Sequence, residues 1–360
     1  MRLSTLLRTL VVLAKLSAAA YVLQEDYGNS ASFFDHFDFF TAGDPTHGYV
    51  TYVDRGTATS AGLISASGGS VYMGVDYTNI ASGSGRQSVR LTSKNSYRHG
   101  LIIADISHMP GSICGAWPAF WTVGGDWPNN GEIDIIEGVS QQTNNAMTLH
   151  TSDGCTINNS GFTGTLSTSN CYINAPGQSS NAGCGIQSTS SQSYGDGFNN
   201  IQGGVYATEW TSEAISIWFF PRGSIPGDIS SGNPNPAGWG TPAAKFQGDC
   251  DIDSHFGPQQ IVFDTTFCGD WAGNVWSSSN CRGLASDCNS YVANNPSAFR
   301  EAYWAVNSLK VYQSSSSSAG LSFGVGLGEG GVSVNITAAA TAAAETETSS
   351  RKRRAVRREY

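Results

Sequence analysis

The chain has 360 residues, of which 43 are glycine and 13% are charged, and its formal net charge is −9. Between its two terminal segments, residues 21–313 carry 10 Lys and Arg against 24 Asp and Glu, a net charge of −14. A domain with this net negative charge repels nucleic acids and polyanionic polysaccharides, and it is better suited to a neutral partner. The sequence shows no repeat with a period of about 20–50 residues, which argues against propellers and solenoids.

The N-terminus has the pattern of an export signal. Two arginines precede a short apolar run, and small residues at 17–20 supply a cleavage site. We therefore predict a signal peptide over residues 1–20 and a secreted, extracellular protein, with attachment to a cell wall as an option. Lys15 interrupts the apolar run, so a retained anchor is the alternative. The run is short for a membrane span, and we expect no stable membrane insertion.

Short apolar runs separated by glycine, serine and asparagine predict strands joined by tight turns. The predicted strands cover residues 71–77, 101–106, 146–150, 214–220, 260–264 and 304–312. No stretch beyond the N-terminus has sustained helical periodicity. The sequence therefore predicts one large all-β domain over residues 21–313, a β-sandwich or jelly roll.

Three carboxylates lie within six residues at 132–137, where the sequence reads EIDIIE. A strand sends residues at even offsets to one face, so Glu132 and Asp134 point together and Glu137 points away. A β-bulge between Asp134 and Glu137 would return all three to one face, and bulges are common beside active sites. The alternative is an edge strand with its charges in water. Two carboxyl groups on one face suit the hydrolysis of a glycosidic bond.

Aromatic residues accompany this acidic segment. Trp117 and Trp121 lie upstream of it, Trp127 lies between, and His150 ends a predicted strand downstream. Pyranose rings have apolar faces that pack against indole rings. The combination predicts a sugar-binding cleft, although Trp117 is equally well explained as a core residue.

All eight cysteines lie between residues 114 and 288. An even number in an exported chain predicts disulfides, but eight cysteines allow 105 pairings, so their connectivity stays open. Zinc is disfavoured because no Cys-x-x-Cys spacing occurs. His47, His108 and His255 have no ligand spacing with one another, and we predict no catalytic metal and no other cofactor.

The C-terminal segment, residues 314–360, has the composition of a tail. A serine run, glycine-rich and alanine-rich stretches and a basic terminus follow one another. Such a composition is typical of disorder, and a disordered linker is the prediction. Contact of the basic end with an anionic wall or membrane surface is a weaker alternative.

The acidic segment resembles the signature Glu-Ile/Leu-Asp-x-x-Glu of the fungal, laminarinase-like branch of glycoside hydrolase family 16. Five further segments are similar to that branch and occur in its order: residues 44–49, 104–110, 117–121, 208–210 and 266–273. The resemblance covers about residues 27–313. It implies a concanavalin A-like jelly roll with a concave substrate cleft, and parts of the family carry a structural calcium.

The same resemblance implies a role for each carboxylate. Glu132 is similar to the family's nucleophile and Glu137 to its acid/base, while Asp134 is similar to the residue that orients the nucleophile. The residues that it implies for substrate binding are Trp121, Trp127, His150, Glu209, Trp210, Arg222, Asp270 and Trp271. A structural role is the alternative for His150, Glu209, Trp210 and Arg222.

The resulting expectation is a secreted, monomeric endo-β-glucanase that cleaves internal β-1,3 or mixed β-1,3/1,4 linkages with retention of configuration. Its partner would be β-glucan, with no nucleic acid involved. A cell-wall glucan transglycosylase using the same carboxylates is the first rival. Wall-remodelling members usually carry an acidic residue where this chain has Gly131. A noncatalytic glucan-binding module is the second rival, disfavoured because all three acids are present.

Overall fold

The structure is a computed structural model that describes residues 21–315 together with the backbone of strands at 320–328 and 331–339. The predicted signal peptide therefore lies outside the described residues. The strands up to Ser314 are β1 (Tyr21–Asp26), β2 (Phe37–Phe39), β3 (Val50–Tyr52), β4 (Ile64–Ser67), β5 (Ser70–Gly74), β6 (Arg86–Ser88), β7 (Arg90–Tyr97), β8 (Gly100–His108), β9 (Ala116–Gly124), β10 (Glu132–Glu137), β11 (Ala146–His150), β12 (Thr165–Leu166), β13 (Cys184–Gln187), β14 (Gly204–Trp210), β15 (Ile215–Pro221), β16 (Ala244–Phe246), β17 (Gln259–Phe267) and β18 (Tyr303–Ser314).

Two antiparallel sheets of eight strands each form the sandwich. The cleft sheet has the order β12-β13-β11-β10-β9-β17-β7-β2. The back sheet has the order β16-β15-β14-β8-β18-β5-β4, and β1 pairs with β18 beside that path. A short parallel pair, β3 and β6, stands apart. The predicted all-β jelly-roll sandwich is confirmed.

Each of the six predicted strands falls on an observed one. The prediction for 146–150 matches β11 at both ends, whereas β5 ends at Gly74 instead of residue 77. The side chain of Asp76 ends that extended run because its carboxylate accepts a hydrogen bond from the backbone N–H of Thr78 at 2.8 Å.

Helices in the described residues are short. The α-helices are α1 (Arg55–Ser60), α2 (Gly195–Asn200), α3 (Gly227–Ser230), α4 (Ile252–His255) and α5 (Cys288–Asn294). Single 3-10 turns lie at Ala31–His36, Arg222–Ser224, Pro236–Gly238, Trp276–Ser278, Asn280–Gly283 and Pro296–Phe299, and a π-turn at Gly269–Gly273. No helix among these described residues is long and apolar enough to cross a membrane.

The main core lies between the two sheets and follows the alternation of each strand. Along β10, Ile133 and Ile136 pack into this core, while Glu132 and Glu137 face the other way. Trp304 and Val306 of β18 fill it from the back sheet. Burying one face of each sheet leaves the outer face of the cleft sheet free to carry polar chemistry.

Four disulfides pair all eight cysteines: Cys114 with Cys281, Cys155 with Cys250, Cys171 with Cys184, and Cys268 with Cys288. The predicted disulfide framework is confirmed, and its connectivity comes from the structure alone. Two of the bridges, those of Cys114 and Cys268, lie in a second, smaller core formed beside the sandwich.

The sandwich forms one compact unit that ends at Ser314. Because Ser314 still pairs with Tyr21 across β18 and β1, the domain extends one residue beyond the predicted boundary at 313. Within the predicted tail, the structure describes an antiparallel hairpin of β19 (Gly320–Gly328) and β20 (Gly331–Ala339). The sequence prediction had not included this hairpin, and the rest of the tail lies outside the described residues.

Candidate active site

Strand β10 contains the predicted bulge. On one side Asp134 pairs with Thr148 and Glu137 with Ala146, and the register shifts between these two pairs. On the other side Asp134 pairs with Trp121 and Ile136 with Phe120, which identifies Ile135 as the extra residue. The inserted residue reverses the alternation of the strand, and Glu132, Asp134 and Glu137 all line one cleft.

Asn145 completes the bulge. One N–H and one C=O of the bulge bond to the side chain of Asn145, which is buried. Its Oδ1 accepts from the backbone N–H of Glu137 at 2.9 Å, and its Nδ2 donates to the carbonyl of Ile135 at 2.7 Å. A third contact fixes the carboxyl itself, since the indole N–H of Trp117 donates to Oε1 of Glu137 at 2.8 Å.

The three carboxyl groups shift one another's proton affinities. Burial raises the pKa of Glu132 to about 8, and the negative charge of Asp134 adds to the rise. Burial also raises the pKa of Asp134 to about 8, with the charge of Asp264 adding to it. Burial and the charge of Asp134 raise the pKa of Glu137 well above its usual value. Since three such neighbours cannot all ionise cheaply, at least one keeps a proton at neutral pH.

His150 faces the two acids at the N-terminal end of the motif. It pairs with Glu132 across β10 and β11, and its Nε2 lies 3.2 Å from Oδ2 of Asp134. One ligand atom from each of Glu132, Asp134 and His150 lies within 4.8 Å of the others, so among the described residues this trio could hold a cation. Hydrolysis by two carboxyl groups does not require one.

The carboxylates lie in a cleft of about 940 Å³. The side chains that give it its chemistry are Asp44, Arg90, Trp117, Trp121, Trp127, Glu132, Asp134, Glu137, His150, Asp264, Asp270 and Trp271. The loop between β12 and β13 supplies part of the opposite wall, including Ser179 and Asn181. A volume near the upper end of the usual range for ligand pockets, about 300–1,000 Å³, suits an oligomeric ligand.

Unpaired polar atoms concentrate in this cleft. Among the described residues, Nε of Arg90, Nε1 of Trp121, Oδ2 of Asp134 and Nδ1 of His150 are buried without a hydrogen-bond partner. Native proteins rarely leave such groups unsatisfied, and functional sites are a common exception. Oδ2 of Asp134 still lies at ion-pair distance, 3.2 Å, from Nε2 of His150, so it has a polar neighbour although the geometry is not that of a hydrogen bond.

The tryptophans take three different positions. Trp127 is 42% exposed at the rim of the cleft. Trp121 has the guanidinium of Arg90 4.9 Å from its ring centroid, and the same guanidinium lies 4.8 Å from the ring of Phe40. Trp117 packs edge to face against Trp271, with ring centroids 5.6 Å apart. These contacts present broad aromatic surface to a ligand in fixed orientations.

The loop with Asp270 and Trp271 forms one wall and is tied to a second loop. Oδ2 of Asp270 lies 2.8 Å from Nδ1 of His47, and the backbone N–H of Asp270 donates to the carbonyl of Thr46. Asp44 holds that second loop against β17, because its Oδ2 accepts from the hydroxyl of Thr266 at 2.6 Å. Asp270 and Trp271 line the cleft, and their part in substrate binding stays a prediction.

Three predicted substrate-binding residues lie elsewhere. Glu209 is on the outer face of the back sheet, where it accepts a hydrogen bond from the hydroxyl of Tyr21 at 2.8 Å. Trp210 points the other way, into the core between the sheets. Arg222 pairs with Asp105 of β8 at 2.7 Å. None of the three lines the cleft, because β14 and β15 belong to the back sheet; the structure therefore corrects their predicted position and agrees with the structural alternative.

The sequence analysis missed three residues of the site, Asn145, Arg90 and Asp264, and named Trp117 without placing it. Trp117 was left between core and cleft, and its bond to Glu137 settles its position. Asn145 follows a turn and matches no motif. Arg90 and Asp264 lie 3.9 Å apart in the buried wall of the cleft, on neighbouring strands β7 and β17. An arginine on a strand whose alternate residues are buried was the one signal that could have identified this pair.

Comparisons with known proteins agree with this geometry. Residues 37–312 match the family described as XgeA-like, catalytic GH16 domain. A relative from Arthroderma benhamiae, named endo-1,3(4)-beta-glucanase, is 51% identical over 317 residues, which are 87% of this chain and 69% of the relative. Several other fungal relatives are longer, and the chain spans 45–46% of their length.

Two solved structures share the fold with a TM-score of 0.77. One is described as an elongating GH family 16 beta-1,3-glucosyltransferase; it is 51% identical, and the match covers 81% of this chain and 100% of the other. The second is Laminarinase 16A from Phanerochaete chrysosporium with 6-O-glucosyl-laminaritriose in donor and acceptor sites; it is 45% identical, with 81% and 99% covered. The chain belongs to glycoside hydrolase family 16, in the XgeA-like group of its catalytic domains.

Proposed function

We propose that the chain is a retaining endo-β-glucanase that hydrolyses internal β-1,3 or mixed β-1,3/1,4 linkages. The observation that carries this proposal is the bulge at Ile135, which brings three carboxylates to one face in an aromatic cleft. Two carboxyl groups on one face are the minimum that a glycosidase requires, and indole rings orient a sugar without charge.

The substrate follows from charge and from the relatives. A body with a net charge of −14 disfavours polyanionic polysaccharides, while a neutral glucan meets no such barrier. The Arthroderma relative is named for endo-1,3(4)-beta-glucan hydrolysis, and the Phanerochaete laminarinase carries a β-glucan oligosaccharide. Several relatives are longer than this chain. The activity of any longer protein that contains this chain is therefore part of the same proposal.

In the first step, the ionised carboxylate of Glu132 attacks the anomeric carbon. As the new bond forms, the glycosidic C–O bond breaks, and the leaving oxygen takes the proton held by Glu137. Burial and the negative charge of Asp134, which raise the pKa of Glu137, keep that proton in place until it is needed. His150, Arg90 and the indole N–H of Trp127 favour the ionised form of Glu132.

In the second step, Glu137 is ionised and removes a proton from water. The water oxygen then attacks the glycosyl-enzyme, the bond to Glu132 breaks, and the product leaves with its original configuration. Asp134 lies between the two glutamates and orients Glu132 together with His150. Trp121, Trp127, Asp270 and Trp271 bind the sugar rings on either side of the reacting bond.

Azide rescue tests this division of labour. With an activated aryl β-glucoside, Glu132→Ala opens space for azide, which should restore part of the turnover and give the α-glycosyl azide. Glu137→Ala should still form the glycosyl-enzyme, and azide should then release the β-glycosyl azide. NMR of the products distinguishes the two anomers.

Glu213→Ala is the matched control, because Glu213 lies in an exposed turn between β14 and β15 and should not alter turnover. Exchanged anomers would mean that the roles of Glu132 and Glu137 are reversed. Wild-type rates in either variant would mean that the cleft is not a glycosidase site.

Glycosyl transfer is the second candidate, favoured by the 51% identical structure described as a glucosyltransferase. Transfer would use the same carboxylates but give products longer than the substrate. Gly131 bears on the alternative: its φ is 73°, and a Cβ there would lie 2.4 Å from the ring of Phe256. The acidic residue typical of wall-remodelling members therefore does not fit this backbone. Sizing the products formed from laminarin over time separates hydrolysis from transfer.

We further propose that the protein acts outside the cell as a monomer. Four disulfides support an oxidising compartment, and the fungal relatives named as glucanases fit that setting. Detecting the activity in culture medium, and measuring the mass of the active species by light scattering, would test both parts.

A further inference from the structure

A second depression lies on the back sheet, on the face that points away from the cleft sheet. It has a volume of about 310 Å³ and is lined by Gly62, Ser65, Tyr72, Tyr77, Arg300, Glu301 and Tyr303. Val71 and Trp304, the strand neighbours of Tyr72 and Tyr303, are buried in the core, so the two tyrosines point outward. The proposed mechanism uses none of these side chains.

The ring of Tyr72 lies across its own strand. A Cβ on Gly74, two residues along β5, would come within 2.2 Å of the Tyr72 hydroxyl oxygen and within 2.9 Å of two ring carbons. Glycine therefore leaves the space that the tyrosine ring occupies. Across the sheet Tyr72 pairs with Ser65 on one side and Ala305 on the other. Both are small, so neither cross-strand neighbour has a side chain large enough to cover the ring.

Tyr303 extends this aromatic surface on the next strand, and the mostly buried His108 on the strand after it covers one face of the Tyr303 ring. The rings of Tyr72 and Tyr303 are 5.0 Å apart and 35° from parallel. Tyr303 then stacks on His108 at 3.7 Å and 3°. Nδ1 of His108 lies 3.0 Å from the carbonyl of Tyr303, and its Nε2 lies 3.3 Å from Glu301. The row of rings is thus held in place by polar contacts at one end.

The border of the depression is polar and has no large net charge. The guanidinium of Arg300 lies 5.0 Å from the ring centroid of Tyr77, and the side chain of Glu301 is 60% exposed. Within residues 21–315, the hydroxyls of Tyr72, Tyr77 and Tyr303 make no hydrogen bond. One cation, one anion and three free hydroxyls match the hydroxyl groups of a neutral sugar better than they match a charged ligand.

We infer that this depression binds a segment of neutral β-glucan, separately from the catalytic cleft. Its volume is at the lower end for ligand pockets, which suits one or two sugar rings lying on Tyr72 and Tyr303. The identity of the ligand rests on the proposed function. On a polymeric or particulate substrate, a second site on the opposite face retains the enzyme at the surface while the cleft releases its product.

Binding to particulate β-1,3-glucan tests the inference. In the full chain carrying Glu132→Gln, which prevents digestion, we would measure depletion from solution with and without further substitutions. Tyr72→Ser and Tyr303→Ser should each weaken binding to the particles, by about tenfold together. Tyr72→Phe keeps the ring and should bind nearly as the parent does. Ser65→Arg places a long side chain in the depression from an exposed rim position and should also weaken binding.

Two controls separate this site from the cleft. Arg282→Ala removes an exposed arginine elsewhere on the domain and should leave particle binding unchanged. In the active enzyme, the site variants should leave kcat/KM for a short soluble laminari-oligosaccharide unchanged and lower turnover of the particles. Parental particle binding by both Ser65→Arg and the double serine variant would overturn the inference, as would equal losses on soluble and particulate substrates.

Failure of the proposed function would look different. In that case the unsubstituted enzyme would cleave no β-glucan. The inferred second binding site would still be supported if the protein bound the particles and the substitutions in the depression weakened that binding. If the Glu132→Gln protein does not bind the particles at all, the inference is wrong.

Discussion

The side-chain amide of Asn145 holds the backbone of Glu137 in position. Its oxygen accepts the Glu137 N–H at 2.9 Å, and its nitrogen donates to the carbonyl of Ile135 at 2.7 Å. Both backbone groups belong to the bulge, so these two hydrogen bonds stabilise it. Asn145 is therefore a positioning residue that acts on the proposed acid/base through the backbone.

Asn145→Ala should lower both stability and activity. Two buried backbone groups would lose their partner, at a cost of about 1–3 kcal/mol each. If the loss of these two hydrogen bonds displaces Glu137, kcat/KM on glucan should fall about 10- to 100-fold. The loss should be smaller on an aryl glycoside whose leaving group needs no proton, and a purely structural role would not produce this difference.

Asn144→Ala is the matched control for that variant. The adjacent Asn144 donates to the carbonyl of Ser188 at 2.9 Å and makes no contact with the bulge. It should leave the ratio between the two substrates unchanged. An equal loss on both substrates in Asn145→Ala would contradict the positioning role.

Asp134→Asn should move the pH profile to lower pH. The charge of Asp134 raises the pKa of both Glu132 and Glu137, so removing it lowers both. The acid limb of kcat/KM reports the ionisation of Glu132, and the basic limb reports the loss of the Glu137 proton. Both limbs should shift toward acid, by about one pH unit, while the maximum rate falls because Glu132 loses its orienting neighbour.

Asp270→Asn provides the comparison, because Asp270 lines the cleft at its edge and bonds to His47 instead. Its profile should keep the parental limbs. A basic limb that stays in place in Asp134→Asn would mean that the Asp134 charge does not control the proton on Glu137.

The sequence of β10 alone was enough to predict that its three carboxylates share one face. The alternation of a strand places Glu132 and Asp134 on one face, and only an extra residue can add Glu137. The aliphatic residues between them identified the interior face. None of this required knowledge of the neighbouring strands, which is why the bulge and the six tested strands were predicted correctly.

Contacts between distant segments could not be read in the same way. Glu209, like Glu132, lies on a strand whose side chains alternate between two faces. Its strand, β14, belongs to the back sheet, and no local sequence pattern indicates which sheet a strand joins. The bond from Trp117 to Glu137 depends on the register between β9 and β10. The role of Asn145 depends on the length of the turn before β11.

The domain should fold without the segment after Ser314. In the compact unit that ends there, β18 is complete and its last residue pairs with β1. A protein of residues 21–314 should therefore keep the thermal midpoint and the soluble-glucan activity of the full chain. A shorter form ending at Lys310 removes the β18 partners of Tyr21, Val22, Leu23 and Glu25 on β1, and it should be less stable. Equal loss of folding in both forms would show that the later residues are required.

Thiol counting should give no reactive cysteine before reduction and eight after it. The structure pairs all eight, and native disulfides in secreted domains typically contribute about 2–5 kcal/mol each. Reducing agent should accordingly lower the thermal midpoint. Titration of the denatured, unreduced protein with a thiol reagent checks the pairing directly. Eight reactive thiols at that stage would contradict both the bridges and the proposed export.

Glu25 should stabilise the domain at neutral pH and lose that effect in acid. It lies on β1 of the back sheet, and its carboxylate accepts from Asn95 at 2.8 Å and from Tyr97, both on β7 of the cleft sheet, as well as from His36 at 3.0 Å. Burial alone would raise the pKa of Glu25, but these hydrogen bonds outweigh it and lower the pKa. A carboxyl group with a lowered pKa in the folded state contributes stability above its unfolded pKa, about 4.3.

That contribution is lost as the pH falls through the folded pKa of Glu25. Glu25→Gln should therefore reduce the free energy of unfolding by about 1–2 kcal/mol at pH 7, and by much less at pH 2–3, where the parent is protonated too. Urea unfolding at the two pH values measures the difference. Glu213→Gln, at an exposed turn position whose carboxylate bonds to no described residue, should change stability at neither pH. A deficit in Glu25→Gln that is equally large at both pH values would show that the ionised carboxylate is not what joins the two sheets.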